Sequence, residues 1–547
     1  MGSEPPVLRL AGGQVADVAA GVVRRADVVV TGDRISAVGE RTSRAPAGRV
    51  IDVTGRILVP GYIEPHTHFS IVNPAEFAGV LLRHGTTTAV VDALPLMLLA
   101  RPERLPDLLG RMAALPLRVR HLIRLHPQSF SDESRFHLDV VQRLWRLPSA
   151  AAVGEVTRWV EVLQGDPDLR AKIRAARDDG RRVEGHAPGA SYERLAALAE
   201  AGFTSCHEAI TAQEVQDRLR AGLVAMLRHS SIRPDLPELL KAVKDRPEWL
   251  DVVMLTVDGP TPLFVAEHGY LDYLMRIALD QGIPPMRVLR LVTLNPARYF
   301  GFADAGEIAV GMRADLNVLA DLTEPTPLMT IAGGRVVAEG GRLTERIPHV
   351  AMSGDLEAAH LPRLPGNILV DTTSTAPGLR LINDVITETV APAEASAGGL
   401  HIALLDQHGR WITRSRLLGF ADRLGGLATT FCSSFGEATV VGDSPDDMAA
   451  ALRILAADGG GIVVVEGGRE LLRLPFKHRL YSTRSWEEVV EANRQFDALM
   501  RSRGYRFSDP LFSLLFMSFE SLPWVRLTSR GIWDVRSRRV LAPALPL

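Results

Sequence analysis

Residues 60–69 read PGYIEPHTHF, and the fold follows from this run. Tyr62 and Ile63 open an extended, apolar stretch that closes on His66 and His68. Residues i and i+2 of a strand project on one side, so the two imidazoles leave the same face together. Apolar entry followed by paired polar chemistry is how a strand looks when its C-terminal end lines a site.

The same grammar recurs seven times further along. The runs are TTTAVVDA (86–93), RVRHLIRL (118–125), AAVGEVT (151–157), RRVEGHA (181–187), TSCHEA (204–209), LVAMLRH (223–229) and DVVMLTVD (251–258). Helical patterns such as DPDLRAKIRAARDDG separate most of them. Eight strands alternating with helices over residues 62–304 have the count and length of a (β/α)8 barrel. A doubly wound sheet is the competing fold, but no G-x-G-x-x-G opens a helix after the first strand.

On either side the pattern changes. Short alternating strands fill 20–60, in ADVVVTGDRISAVGE and GRVIDVTGRILVPGYI, and similar text returns in GEIAVGMRADLNVLADL and MTIAGGRVVAEGGR after residue 305. The expected organisation is an α/β chain in which residues 1–61 and 305–348 form a composite β-sandwich domain around the 62–304 barrel. Residues 366–547 form a C-terminal α+β domain, with strands ILVDTT, LHIALLD, ATVVGD and GGGIVVVEGG and a helix at SPDDMAAALRILAADG.

Composition removes other classes. Of 547 residues, 62 are basic and 64 acidic, a formal charge of −2, so there is no basic face for nucleic acid or anionic lipid. Cys206 and Cys432 are the only cysteines, too few for a disulfide framework or a cysteine-rich zinc site. No apolar run reaches the ~18 residues of a membrane helix, and MGSEPPVLRLAGGQV lacks a signal pattern. A cytoplasmic protein acting on a small molecule, with no nucleic-acid or membrane partner, is the expectation.

The polar residues at the ends of the barrel strands are His66, His68, Glu155, His186, His207 and Asp258. Four imidazoles and two carboxylates suit a pair of divalent ions such as zinc, iron or manganese. Lys172, Lys241, Lys244 and Lys477 are the only lysines and none ends a strand. A carboxylated lysine therefore does not bridge the ions, and Glu155 is the natural substitute. Arg228 and His229 close strand seven, while His121 and His126 bracket strand three; each is a candidate substrate contact, against an equally ordinary structural role.

Taken together these motifs resemble the adenine deaminase family of the amidohydrolase superfamily. The matching text includes PGYIEPHTHF, PAEFAGVLLRHGTTTAVVD, VGEV, VEGHAPGAS, AAGFTSCHEAIT and VTLNPARYFG, with VVGDSPDDMAAALRILAADGGGIVVV and WVRLTSRGIWDV near the C-terminus. The resemblance implies a metal-dependent hydrolase with two divalent ions (manganese, iron or zinc). His66 and His68 would hold one ion, His186 and His207 the other, and Glu155 would bridge. A metal-bound hydroxide would attack C6 of adenine or a related aminated heterocycle and expel ammonia. It further implies that Asp258 carries the proton. Glu208, directly after His207, is a candidate for orienting a ligand or relaying a proton, and Arg228 and His126 are substrate-contact candidates from their places at the ends of strands seven and three. Relatives are often oligomeric, so a homo-oligomer is expected.

Four departures from the family pattern cluster near the chemistry. The Glu-Ser-Ser of relatives is replaced after His68 by Phe69, Ser70, Ile71, Val72 and Asn73. Asp-Pro-His-Glu becomes Asp92, Ala93, Leu94, Pro95 and Leu96. Thr-Asp-Asp-Arg becomes Thr256, Val257, Asp258 and Gly259, so an ungapped reading places Val257 at the metal and Asp258 at the substrate, while a one-residue shift makes Asp258 the ligand. The C-terminal His-Asp-Ser-His becomes Ser433, Ser434, Phe435 and Gly436. All four exchange polar for apolar or small residues, which points to a greasier pocket. Deamination of a heterocycle, hydrolysis of another amide or cyclic amide, and ligand binding without turnover are the three functions compatible with this text.

Overall fold

The computed structural model describes residues 6–39, 48–130, 133–357, 360–370, 375–477 and 481–547. Its centre is an eight-stranded parallel sheet whose strands lie side by side in chain order: β1 (Tyr62–Thr67), β2 (Thr86–Asp92), β3 (Arg118–Ile123), β4 (Ala150–Val156), β5 (Val183–Gly185), β6 (Ser205–Cys206), β7 (Val224–Arg228) and β8 (Met254–Thr256). Each coincides with one of the eight runs read from the sequence. β2 and β4 are buried along all seven of their residues, because helices cover one face and the barrel interior takes the other.

β8 is too short to pair fully with β1, and side chains complete the closure. Thr67 and Asp258 form an isolated parallel bridge, and Thr67 Oγ1 donates to the Asp258 carbonyl at 2.7 Å. The outer helices start where their sequences dictate. Asn73 caps Pro74–Arg83 and Asp166 caps Pro167–Asp178, each side chain accepting a backbone N–H, with proline in the first turn where its missing donor costs nothing.

Two further sheets flank the barrel. A seven-stranded sheet combines strands from both ends of the barrel segment: Gln14–Asp17, Val22–Arg25 and Ile57–Pro60 lie with Leu316–Leu319, Met329–Ala332, Arg335–Glu339 and Arg342–Leu343. A four-stranded sheet faces it, and Val15, Val28, Leu58, Leu316 and Ile331 share the core between them. The GEIAVG text (306–311) forms no strand, unlike the stretches around it.

The C-terminal region is built on a larger sheet that includes Leu400–Asp406, Trp411–Leu418, Glu437–Gly442 and Gly461–Glu466. Helix Pro445–Asp458 packs on it through Leu452 and Leu455. The strand expected at ILVDTT is instead a short helix, Gly366–Leu369, and residues 371–374 lie outside the described residues. Two elements bind this region to the barrel. Tyr481–Ser482 pairs in parallel with Ile71–Val72, just past His68, and helix Pro510–Phe516 reaches the mouth of the barrel. Among the described residues no helix is long and apolar enough to cross a membrane.

Candidate active site

The strand ends bring two histidine pairs together. His66 Nε2 and His68 Nε2 stand 3.1 Å apart, with Asp258 Oδ1 at 3.4 and 3.2 Å from them. His186 Nδ1 and His207 Nε2 stand 3.2 Å apart, with Glu155 Oε2 3.4 Å from each. The same Glu155 oxygen is 3.9 Å from His66 Nε2, so it faces both groups. Lys172, by contrast, is spent on Asp168.

On three of the four histidines the remaining ring nitrogen faces a carboxylate; His186 Nε2 is buried without a hydrogen-bond partner. His66 Nδ1 and His207 Nδ1 both lie 2.9 Å from Glu184 Oε1, and His68 Nδ1 lies 3.2 Å from Asp92 Oδ2. A neutral imidazole with its proton on Nδ1 presents a lone pair at Nε2. The His66 and His68 lone pairs and an anionic oxygen within 3.4 Å repel one another unless a cation accepts all three. The donor set is the nitrogen and carboxylate chemistry of borderline divalent ions. The residues present fit metal.

Asp258 resolves the ambiguity at strand eight. β8 ends at Thr256, and Asp258, two residues on, adopts a left-handed backbone conformation (φ 63°). Between them Val257 is fully buried and turns away, its N–H donating to Glu64 Oε2 at 3.1 Å. Asp258 is therefore the carboxylate beside His66 and His68, and the ungapped placing of Val257 there is corrected. Its second oxygen accepts from Arg228 Nη1 at 2.6 Å.

Arg228 also contacts Glu208 Oε1 at 2.5 Å, and that oxygen is 3.5 Å from both His186 Nδ1 and His207 Nε2. One guanidinium thus links a carboxylate at each histidine pair. Burial alone would raise the Glu208 carboxyl, but Arg228, then His186 and Arg233, hold it well below the usual range. Glu155 behaves likewise, with Arg124 and His186 outweighing burial. Glu64 has no cation of comparable strength. Burial pushes it up to about 8 in spite of hydrogen bonds from Thr256 and the Val257 and His66 amides.

Three buried residues that the sequence reading passed over organise this site. Arg124 donates to Asp92 through Nε and Nη2 (3.0 and 2.7 Å) and to Glu155 Oε1 at 2.8 Å. Glu184 serves two histidines, and Glu64 ties β1 to β8 through Thr256 Oγ1 at 2.6 Å. A signal was present: Glu64 and Glu184 each stand two residues before a site histidine, hence on the same strand face one layer deeper.

Other candidates fall elsewhere. His126 does not line the chamber; its Nδ1 is 2.7 Å from the Pro127 carbonyl and its ring is buried, which pushes its pKa well below the ordinary value, with Arg158 adding to the effect. His121 Nε2 contacts the Leu109 carbonyl, and His229 packs on Phe264 and Tyr273.

The chamber above the histidines is walled on one side by His68, Glu155, His186, Glu208, Arg228 and Asp258. The C-terminal region supplies the other side with Phe431, Phe435, Phe512, Phe516 and Phe519, together with Ser433. Phe512, Phe516 and Phe519 stack in a row at 5.8 and 6.0 Å between centroids, and Phe519 lies 5.8 Å from the His186 ring.

Comparison with known proteins places this architecture. The amidohydrolase family model matches residues 57–337, and the adenine deaminase C-terminal domain model matches residues 381–539. "Putative adenine deaminase BH0637" of Halalkalibacterium halodurans is 35% identical over 539 residues, covering 95% of this chain and 92% of its own. The "Adenine deaminase" of Cereibacter sphaeroides strain ATCC 17023 is 33% identical over 562 residues, covering 99% and 98%. Fold, cluster and relatives define a divalent-metal hydrolase acting on carbon–nitrogen bonds. More narrowly, the chain belongs to the amidohydrolase family, in the branch of the adenine deaminases.

Proposed function

We propose that this chain hydrolyses the exocyclic C–N bond of adenine or a closely related aminated heterocycle, releasing ammonia. The observation that carries the reading is the convergence of two histidine pairs, each with a carboxylate, inside a chamber closed by five phenyl rings. His66, His68 and Asp258 would hold one ion, His186 and His207 the other, with Glu155 shared. Manganese, iron and zinc all suit these donors. When bound, the ions supply Lewis acidity that makes a water molecule nucleophilic near neutral pH.

The chain's own groups do the rest. The row of phenyl rings offers flat apolar faces to a planar heterocycle and keeps bulk water from the reacting carbon. Arg228 has Nε and Nη2 without a protein partner, two buried donors suited to the ring's acceptor nitrogens. As water adds to C6, its proton passes to Asp258. The C6–N1 π pair moves onto N1 as water adds, and Asp258 then gives its proton to the amino nitrogen. The pair on N1 re-forms the C6–N1 double bond as the C6–amino bond breaks, and the remaining hydroxyl proton shifts to N1, leaving a 6-oxo ring and ammonia. Glu208, fixed by Arg228 and Arg233, orients the ring and the arginine together. His126 contributes no substrate contact to this reading.

The division into a 1–61 and 305–348 sandwich, a 62–304 barrel and a 366–547 C-terminal domain belongs to the same proposal, as does a cytoplasmic homo-oligomer. The test is ammonia release from adenine by the metal-loaded protein. Cyclic amides serve as the contrasting substrates, since an amide-opening enzyme consumes them without ammonia.

A further inference from the structure

One carboxylate stands between the two histidine pairs on the side away from the chamber. Glu184 is buried in β5, and its Oε1 lies 2.9 Å from His66 Nδ1 and 2.9 Å from His207 Nδ1. The two rings stack, with centroids 4.4 Å apart and planes at 24°, which brings both Nδ1 atoms to the same oxygen; His207 Nδ1 hydrogen-bonds to it, and His66 Nδ1 meets it as a close ion-pair contact. His66 belongs to the group with His68 and Asp258, and His207 to the group with His186 and Glu155. The other orienting carboxylate, Asp92, faces one histidine, His68, and otherwise accepts from Arg124. Glu184 touches neither the chamber nor Glu155, and no arginine or lysine pairs with it among the ion pairs of the described residues.

From this we infer that Glu184 is a positioning residue shared by both metal sites, whose single oxygen fixes one ligand of each and so couples their loading. The inference rests on the two-ion reading above. A ligating histidine needs its distal N–H held, because that contact sets the tautomer and the ring direction. In most sites each histidine has its own acceptor. Here one oxygen serves two, and anything that moves it misaims a nitrogen in both groups at once. The stacked rings make the coupling mechanical as well: His66 cannot swing off Glu184 without displacing His207.

The experiment measures metal per chain and metal affinity, with manganese(II) as the probe, in the full-length protein and in Glu184→Ala, Glu184→Gln and Asp92→Ala. The unmodified protein binds two equivalents, and its manganese spectrum shows the spin-coupled pattern of two neighbouring ions. Less than two equivalents there overturns the two-ion reading itself. Glu184→Ala weakens both equivalents together by about 10–100-fold, and the coupled spectrum disappears as a unit. Glu184→Gln retains an acceptor oxygen and recovers part of both affinities. Asp92→Ala weakens one equivalent only. Loss of a single equivalent in Glu184→Ala, or two equivalents bound as in the unmodified protein, overturns the inference. Should Glu184→Ala fail to fold, Glu184→Gln decides alone. Equal weakening of both sites supports the shared role, and unequal or absent weakening refutes it.

Discussion

Asp258 is the residue on which sequence and structure meet most closely. The family text carries two aspartates at this position and this chain has one, beside Val257. Its position assigns it: just past the end of β8, Asp258 turns its Oδ1 to within 3.4 Å of His66 and 3.2 Å of His68. With Oδ1 against His66 and His68 and Oδ2 on Arg228, a single carboxylate stands where both metal contact and proton transfer need one. Asp258→Asn should keep at least one equivalent of metal and lower turnover by ~100-fold or more. A kcat within threefold of the unmodified protein removes Asp258 from proton transfer. Arg228→Met leaves Glu208 and Asp258 without their shared cation and removes two donors from the chamber. Its expected signature is a KM raised by ~10-fold or more, since a buried charge-assisted contact contributes about 1.5–3 kcal/mol. His66→Ala with His68→Ala should abolish metal retention at one site, measured as equivalents per chain, while circular dichroism stays unchanged. Arg124 carries no local mark in the sequence, and the place of Glu184 two residues before His186 shows its strand face but not its partners. Only the third dimension shows that Glu184 has two histidines to serve.

Among the elements, helix Pro510–Phe516 carries the most weight for its length. Asp509 caps it by accepting from the Leu511 and Phe512 amides and also accepts from Ser231, which pins the helix over the barrel mouth. Burial pushes the Asp509 carboxyl up to about 6, against those hydrogen bonds. The folded state therefore holds this proton more tightly than the unfolded chain does. The cost of ionising Asp509 is absent below pH ~4, grows through pH 4–6, and is fully present above pH ~6. Asp509→Asn retains the cap and removes the charge. The variant should melt a few degrees higher at pH 7.5, with the difference shrinking to nothing by pH 4; a lower melting temperature at pH 7.5 contradicts the assignment. Strands were the most legible elements. All eight barrel runs coincide with strands, most of them an apolar core with a polar end, though TSCHEA supplies only Ser205–Cys206. ILVDTT begins as a short helix where it is described, and GEIAVG forms no strand, although Gly311 donates to the Ile35 carbonyl at 2.8 Å.

At the scale of the whole molecule, the active chamber is made by parts far apart in the chain. Histidines and carboxylates from 66–258 form its floor, and phenyl rings from 431–519 form its wall. The sequence displayed the loss of polar residues at 433–436, but which face of the barrel they would meet depends on contacts between distant segments, which no local pattern encodes. Of the exchanged positions, Ser70, Gly259, Ser433 and Phe435 line the chamber, beside a row of stacked rings, Phe512, Phe516 and Phe519, that closes over His186. Metal is held by the folded chain alone, so chelation should lower the melting temperature, and restoring manganese should recover it. The most direct test of the account is ammonia released per adenine consumed, by protein loaded to two equivalents of manganese and by the same protein carrying Asp258→Asn. Stoichiometric ammonia from the first and at least 100-fold slower release from the second is the predicted result. A chain that holds both ions yet frees no ammonia from adenine or any related 6-amino heterocycle would contradict it.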